Sequence, residues 1–281
     1  MLIVLPPSEG KIDPSSLHGH APLDLAALSL PELAEARVAV LEALHDAGGR
    51  PDATDLLGVP ASLGALVAAN LDLPDVPAAP AARVYTGVLY DAAGLAGLSG
   101  RAARRARSDV LIASALYGAV HVGDRIAPYR LGMTATLPAL GGAAGSGGAG
   151  GGSLARFWRA PLATALDDRA SGDVVIDARS AAYVAAWTPP ADAEHVAVRV
   201  VTERAGRRTV VSHNAKYLRG VLTGHLLRRD ARPPRTAAGV LEAAGELVGT
   251  ESPTGTVIDA GLEPAARRGP DTLTIVTRAA W

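Results

Sequence analysis

The chain has 281 residues, a formal net charge of −1 and no cysteine. That length allows one large α/β unit that buries most of its surface without a covalent or metal staple, and the missing thiols exclude disulfides, thiolate catalysis and cysteine-bound zinc. The near-neutral balance argues against a dedicated, non-specific nucleic-acid binder but leaves room for a local basic patch.

In chain order, Leu2 to Leu5 reads as a short buried strand running into Pro6-Pro7. This apolar run is too short for a signal-peptide core, and no apolar stretch reaches the roughly 18 residues of a membrane span. A cytoplasmic protein without a membrane partner is the expectation. Pro31 to His45 has apolar residues at helical spacing, with Pro31 in the first turn and Gly48 at the end. Leu56 to Leu71 predicts a short helical pair broken at Gly58-Val59-Pro60, and Pro74 to Pro80 an extended linker. Asp91 to Arg107 predicts one helix ending in Arg101, Arg104, Arg105 and Arg107, a run that usually marks a solvated helix face.

Asp109 to Ser114 is a second predicted strand. Gly141 to Gly152, dominated by glycine, reads as a flexible loop or inserted linker; no Lys-Ser/Thr pair follows to make it a phosphate cradle. Leu154 to Asp167 predicts a helix with Leu154, Phe157, Trp158 and Leu162 on one face, its two aromatics expected as core anchors. Val174 to Ile176 is a third strand. Val196 to Glu203 and Arg208 to Ser212 form a hairpin around Ala205-Gly206. Asn214 is placed to cap a helix over Ala215 to Arg229. Thr236 to Val248 predicts a last helix and Thr272 to Thr277 a last strand. With no internal repeat, the irregular interleaving of strands and helices predicts an α+β or mixed α/β fold, in one compact domain over residues 1–281, rather than a doubly wound parallel sheet.

Of the 27 basic residues only two, Lys11 and Lys216, are lysine. Arginine cannot form a Schiff base or readily lose its proton, and lysine can do both, so these two positions are either chemical or accidental. Four segments place polar and cationic residues after a strand. In the first, Ser8, Glu9, Gly10 and Lys11 follow the N-terminal strand, which reads as an anion loop or as an ordinary turn. The second runs from Ser114 through Tyr117 to Asp124, Arg125, Tyr129 and Arg130. Here the tyrosines could stack on a base and the arginines fork onto phosphate, or the group could be a structural network. The third is Asp177 to Tyr183, with Arg179 and with Ser180 as anion ligand or N-cap. The fourth, His213 to Gly220, sets Lys216 and Arg219 in the first turns of a helix, where amides, dipole and cations favour an anion. His213 there is a candidate base or a structural histidine. If the strands share one sheet and direction, Lys11, Arg130, Arg179, Lys216 and Arg219 converge and call for an anionic ligand. The seven histidines are scattered, and no metal-ligand spacing, dinucleotide fingerprint or nucleophile elbow occurs, so neither metal nor cofactor is expected.

These segments together resemble the YaaA family of peroxide-stress proteins. The resemblance rests on LPPSEGK (Leu5 to Lys11), Val84-Tyr85-Thr86-Gly87, Ala115-Leu116-Tyr117-Gly118, the run Asp124 to Met133, Phe157-Trp158, Arg179 to Tyr183, Ala215-Lys216 and Arg219-Gly220, in the family's order over about residues 1–250. It implies a single-domain mixed fold and a role in surviving hydrogen peroxide, linked to limiting free iron and DNA damage. It also implies DNA binding through a positive cleft and a helix-hairpin-helix element, which falls here on Asp55 to Pro60, with Leu57, Gly58 and Val59 as the phosphate-contacting turn. Pro60 stands where a second glycine is common and has no N–H to give.

Two functional readings follow, with a third behind them. The first is a monomeric stress protein binding DNA or another phosphate-bearing ligand, with Ser8, Lys11, Ser114, Tyr117, Arg125, Tyr129, Arg130, Arg179, Ser180, Tyr183, His213, Lys216 and Arg219 as candidate ligand contacts. The second is an enzyme acting on a nucleotide-like or other small anion, with Lys216 or Lys11 as nucleophile or acid/base and Tyr117 and Arg179 beside them. The third is a fold whose motifs are structural and whose function lies with a protein partner.

Overall fold

Short apolar runs with no polar alternation make strands that are covered on both faces, and three such runs lie side by side in the main sheet. The computed structural model describes residues 1–17, 19–140, 153–204, 206–210, 212–253, 255–266 and 269–278, with the backbone alone at Ser212 and His213; the predicted glycine-rich loop lies outside the described residues. The strands are β1 (Leu2–Leu5), β2 (Ala79–Pro80), β3 (Val110–Ser114), β4 (Gly118–His121), β5 (Arg125–Ile126), β6 (Val174–Asp177), β7 (Glu194–Arg204), β8 (Arg207–Thr209), β9 (Glu251–Ser252), β10 (Gly255–Glu263) and β11 (Asp271–Arg278). The helices are α1 (Ala34–Gly48), α2 (Ala53–Leu56), α3 (Gly64–Ala68), α4 (Ala81–Val84), α5 (Val88–Ala93), α6 (Gly100–Asp109), α7 (Leu154–Ala170), α8 (Ala181–Val184), α9 (Ser212–Arg228) and α10 (Ala237–Gly245).

The main sheet runs β4-β3-β1-β6-β7-β11-β10-β9, with β8 paired to β7 off this path. Neighbours from β3 to β11 are parallel, and β4, β8, β9 and β10 pair antiparallel. The fold is therefore mixed α/β. β1 has β3 on one side and β6 on the other, so the chain leaves its first strand toward one edge and later returns to the opposite flank. In open α/β sheets the crevice beyond the strand ends at such a reversal is the usual ligand site.

Two packing contacts position that crevice. Helix α5 lies on α9, where a Cβ added at Gly220 would meet the Leu89 carbonyl oxygen at 2.2 Å and one at Gly224 the Ala93 oxygen at 2.8 Å. The glycines let two backbones touch. On the other side, the fully buried Trp158 of α7 donates its indole N–H to the Ala115 oxygen (2.9 Å) and fills the space beside Gly118, whose φ is +71°. Trp158 is thus the core anchor expected, with Phe157 edge-on to it.

Several local expectations change. The helix predicted over Asp91 to Arg107 is two helices, α5 and α6, because Gly94 turns left-handed at φ +62° and ends the first. Arg105 in the basic run donates to the Arg229 and Ala231 oxygens beyond the end of α9, and so ties two elements together. Asn214 is no cap. It lies inside α9, buried, and donates to Thr202 Oγ1 (2.8 Å) and Thr277 Oγ1 (2.9 Å), which fixes the start of α9 to β7 and β11. The pair flanking Gly58 consists of single-turn helices, α2 and α3, and a helix-hairpin-helix element is not confirmed.

Candidate functional site: a cation-lined cleft

A cleft of about 650 Å³ opens above the ends of β1 and β6. Its walls come from six places: Pro6 to Lys11 after β1, the Leu57–Pro60 turn, Thr86 to Tyr90 leading into α5, Arg130 to Thr134, the start of α8, and the first turns of α9. Of the residues singled out from sequence, it brings together Ser8, Lys11, Arg130, Ser180, Tyr183, Lys216 and Arg219, with Leu57, Gly58 and Val59. Four of the lining side chains are cationic, and Glu9 is the one carboxylate among the lining residues.

None of the four cations forms an ion pair with a carboxylate among the described residues. Lys11 Nζ donates to the Ser8 oxygen (2.9 Å) and lies 4.4 Å from the ring centre of Tyr129 and 5.5 Å from that of Tyr85. Burial, and then the charge of Arg130, push Lys11 down to about 7 against the opposing pull of Glu9. Arg130 is held by its backbone, whose N–H donates to Asn70 Oδ1 (2.9 Å) and whose oxygen accepts from Asn70 Nδ2 (2.8 Å). Its guanidinium donates to the Glu9 backbone carbonyl oxygen (3.3 Å). Arg219 directs Nε and one Nη to the Val198 oxygen (3.1 and 2.8 Å). Burial lowers its affinity for a proton, with Asp177 opposing. Lys216, one turn earlier on the same helix, is exposed.

Beneath the cleft lies a buried tyrosine layer. Tyr129 OH pairs with Tyr85 OH (3.1 Å) and Ser114 Oγ (2.8 Å), and Ser114 Oγ accepts from the Tyr117 N–H (3.0 Å). Tyr117 OH donates to the Ala127 oxygen (3.1 Å). Burial pushes all these phenols upward, so they remain protonated and serve as a hydrogen-bonded floor under Lys11.

The remaining candidates lie elsewhere or are already engaged. Ser114, Tyr117 and Tyr129 sit in that layer, one shell below the cleft surface. Arg125 is on β5 and turns to the Ala78 oxygen and to His20 Nδ1 (2.9 Å). Arg179 is buried and forks onto Asp177 (2.9 and 2.7 Å), with further bonds to the Tyr183 and Trp187 oxygens. Its charge is matched by its own neighbour, so it is not a ligand clamp. His195 Nε2 completes that node at 3.0 Å from Asp177. Asp177 is desolvated, but the Arg179 and His195 hydrogen bonds outweigh that cost and hold its carboxyl far below the usual carboxylate range.

The side chain of His213 lies outside the described residues. Ser180 lines the cleft, and its side chain makes no capping bond to α8. The Ser8 hydroxyl is committed to the Thr86 oxygen. The hairpin amides are also engaged. Leu57, Gly58 and Val59 donate to Ala53, Asp55 and Thr54 at 3.0 Å each, and Pro60 has no N–H. That turn supplies a wall and no phosphate donor from those four positions.

Sequence reasoning did not single out Tyr90 or Met133 as site residues. Tyr90 lines the cleft and donates to the Pro6 oxygen (2.7 Å). It stands three residues beyond Val84-Tyr85-Thr86-Gly87, a motif that was read only for its resemblance.

A mixed α/β protein with a strand-end cleft lined by cations that have no ion-pair partner among the described residues is the class these features define. Comparison with known proteins then places it. The sequence model of the family described as peroxide stress protein YaaA matches residues 1–242. A UPF0246 protein of Streptomyces coelicolor is 42% identical over 260 residues, covering 90% of this chain and 94% of that one. A UPF0246 protein of Corynebacterium efficiens is 36% identical over 247 residues, covering 87% and 91%. The chain belongs to the YaaA (UPF0246) family. Among the described residues no helix is long and apolar enough to cross a membrane.

Proposed function

We propose that this protein acts in the cytoplasmic response to peroxide stress, as a monomer, by binding a phosphate-bearing ligand, DNA or a nucleotide-like anion, in the cleft. One observation carries the reading: Lys11, Arg130, Lys216 and Arg219 reach one cleft from three separate parts of the chain, without ion-pair partners among the described residues and with one carboxylate beside them. Unmatched charge brought together at the cost of mutual repulsion favours a bound anion. Family membership supports the stress context.

The test is binding of duplex and single-stranded oligonucleotides at two salt concentrations, followed by fluorescence anisotropy. Three or four phosphate contacts on a duplex imply an affinity loss of about 40- to 150-fold between roughly 50 and 200 mM salt. Binding that is absent, or flat with salt, would end this reading.

A further inference from the structure

The cleft contains a group that simple anion binding does not require. Anion binding is served by arginine, which supplies 25 of the 27 basic residues of the chain. Yet both lysines of the chain line this one cleft. They are placed differently. Lys216 is an exposed helix residue. Lys11 is half-buried, follows a strand end, and is held by the Ser8 oxygen at 2.9 Å over the Tyr129 ring at 4.4 Å. Its backbone is pinned by a bridge to Tyr85. A flexible amine is thus fixed at one point of the cleft, with Arg130, Lys216 and Arg219 around it to hold an anionic group.

We propose that Lys11 Nζ is a nucleophile that forms a reversible imine with an aldehyde borne on a phosphate-carrying sugar bound in the cleft. The inference rests on reading the cleft as a phosphate site and adds a covalent step to it. The amine lone pair adds to the aldehyde carbon, giving a carbinolamine. The carbon–oxygen bond then breaks, the oxygen leaves with the amine's two protons as one water, and a carbon–nitrogen double bond remains. No oxidant, reductant or metal is consumed. Burial and Arg130, which bring the Lys11 ammonium down to about 7, leave a large share of the amine neutral near physiological pH. Three further cations exceed what a lone carboxylate needs and suit a phosphate. The cleft volume of about 650 Å³ exceeds a single sugar phosphate, so a free sugar phosphate and a phosphodiester-linked sugar both fit.

Borohydride trapping distinguishes the sources. The wild-type protein is incubated with borohydride and either 2-deoxyribose 5-phosphate or an oligonucleotide carrying one abasic site, and adducts are mapped by peptide mass spectrometry. In parallel, binding of unreactive counterparts is measured: 2-deoxyribitol 5-phosphate and an oligonucleotide with a tetrahydrofuran abasic analogue. A reduced adduct on Lys11 is expected, and the arm that gives it names the source. Lys11→Arg should lower the adduct at least tenfold, with Lys11→Met as the second variant should the first not fold. An adduct on Lys216, undiminished trapping in Lys11→Arg, or bound counterparts with no adduct would each overturn the inference and leave the phosphate site standing. Neither binding nor trapping would remove both.

Discussion

Arg179 and Arg219 stand at the same edge of the sheet and have opposite surroundings. Arg179, just past β6, is closed into a buried node. Its guanidinium forks onto Asp177, His195 shares the carboxylate, and the Trp187 and Tyr183 oxygens take the remaining donors. Arg219 directs two nitrogens to one backbone oxygen and meets no carboxylate within ion-pair distance among the described residues, as do Lys11, Arg130 and Lys216. The first arrangement pairs guanidinium with carboxylate and serves the fold, while the second leaves charge exposed to a cleft. The number of cations at a strand end therefore says less than whether each has its own counter-charge.

That contrast is broken most severely at Asp177. Asp177→Ala leaves Arg179 buried without its carboxylate, and a loss of about 3–5 kcal/mol is expected from urea unfolding. A loss near zero would mean the node is wet. Gly220→Ala comes next: its Cβ meets the Leu89 oxygen, so α5 must move off α9. A cost of about 1–3 kcal/mol, seen as a lower Tm, is expected for such overpacking, together with weaker anion binding because α9 carries Lys216 and Arg219.

Smaller effects sharpen the comparison. Arg130→Ala or Lys216→Ala should reduce the salt slope of duplex binding by about 1 each, whereas Arg125→Ala, outside the cleft, should leave it unchanged. Equal slopes for all three variants would dissolve the distinction.

The comparison also extends to pH. With Lys11 lowered to about 7 in the fold and near 10.5 when unfolded, the unfolded chain binds the extra proton between these values. Stability therefore rises with pH across that window, and Lys11→Met should flatten the rise. The same titration weakens the Lys11 contribution to anion affinity as pH passes 7 and strengthens trapping. Parallel trends in the two assays would contradict it. Asp177 gives the same sign in a more acidic window: its depressed carboxyl adds stability that is complete above the ordinary aspartate range and is lost progressively as pH falls below it.

Much of this was legible in the chain. The runs Leu2 to Leu5, Asp109 to Ser114, Val174 to Ile176 and Thr272 to Thr277 sit within one residue of β1, β3, β6 and β11, because the first three are short apolar runs of covered strands and the last alternates β-branched threonine with apolar residues. Strand β10 was not legible, because Asp259 and Gly261 break its pattern at a partly exposed position near the sheet edge. The parallel order was hidden as well, since neighbours in the sheet are distant in sequence. At the site, the rule that polar residues gather past strand ends found Lys11, Arg130, Lys216 and Arg219. It also admitted Arg179, although Asp177 was two residues away in plain view. Sequence shows the carboxylate but not the turn that aims it. Ser114, Tyr117 and Tyr129 were read as ligand contacts or as a structural network, and the buried hydrogen bonds among them form the network.

Strand β1 needs both β3 and β6 as neighbours, and the last of these begins at Val174. A ribosome adding about 5–20 residues per second takes roughly 10–35 s to travel from one to the other. Through that interval the nascent segment Leu-Ile-Val-Leu carries an unmated edge, open to chaperones and to its own kind. The cleft's first lysine thus emerges early and waits for most of the chain before its counterpart on α9 can face it.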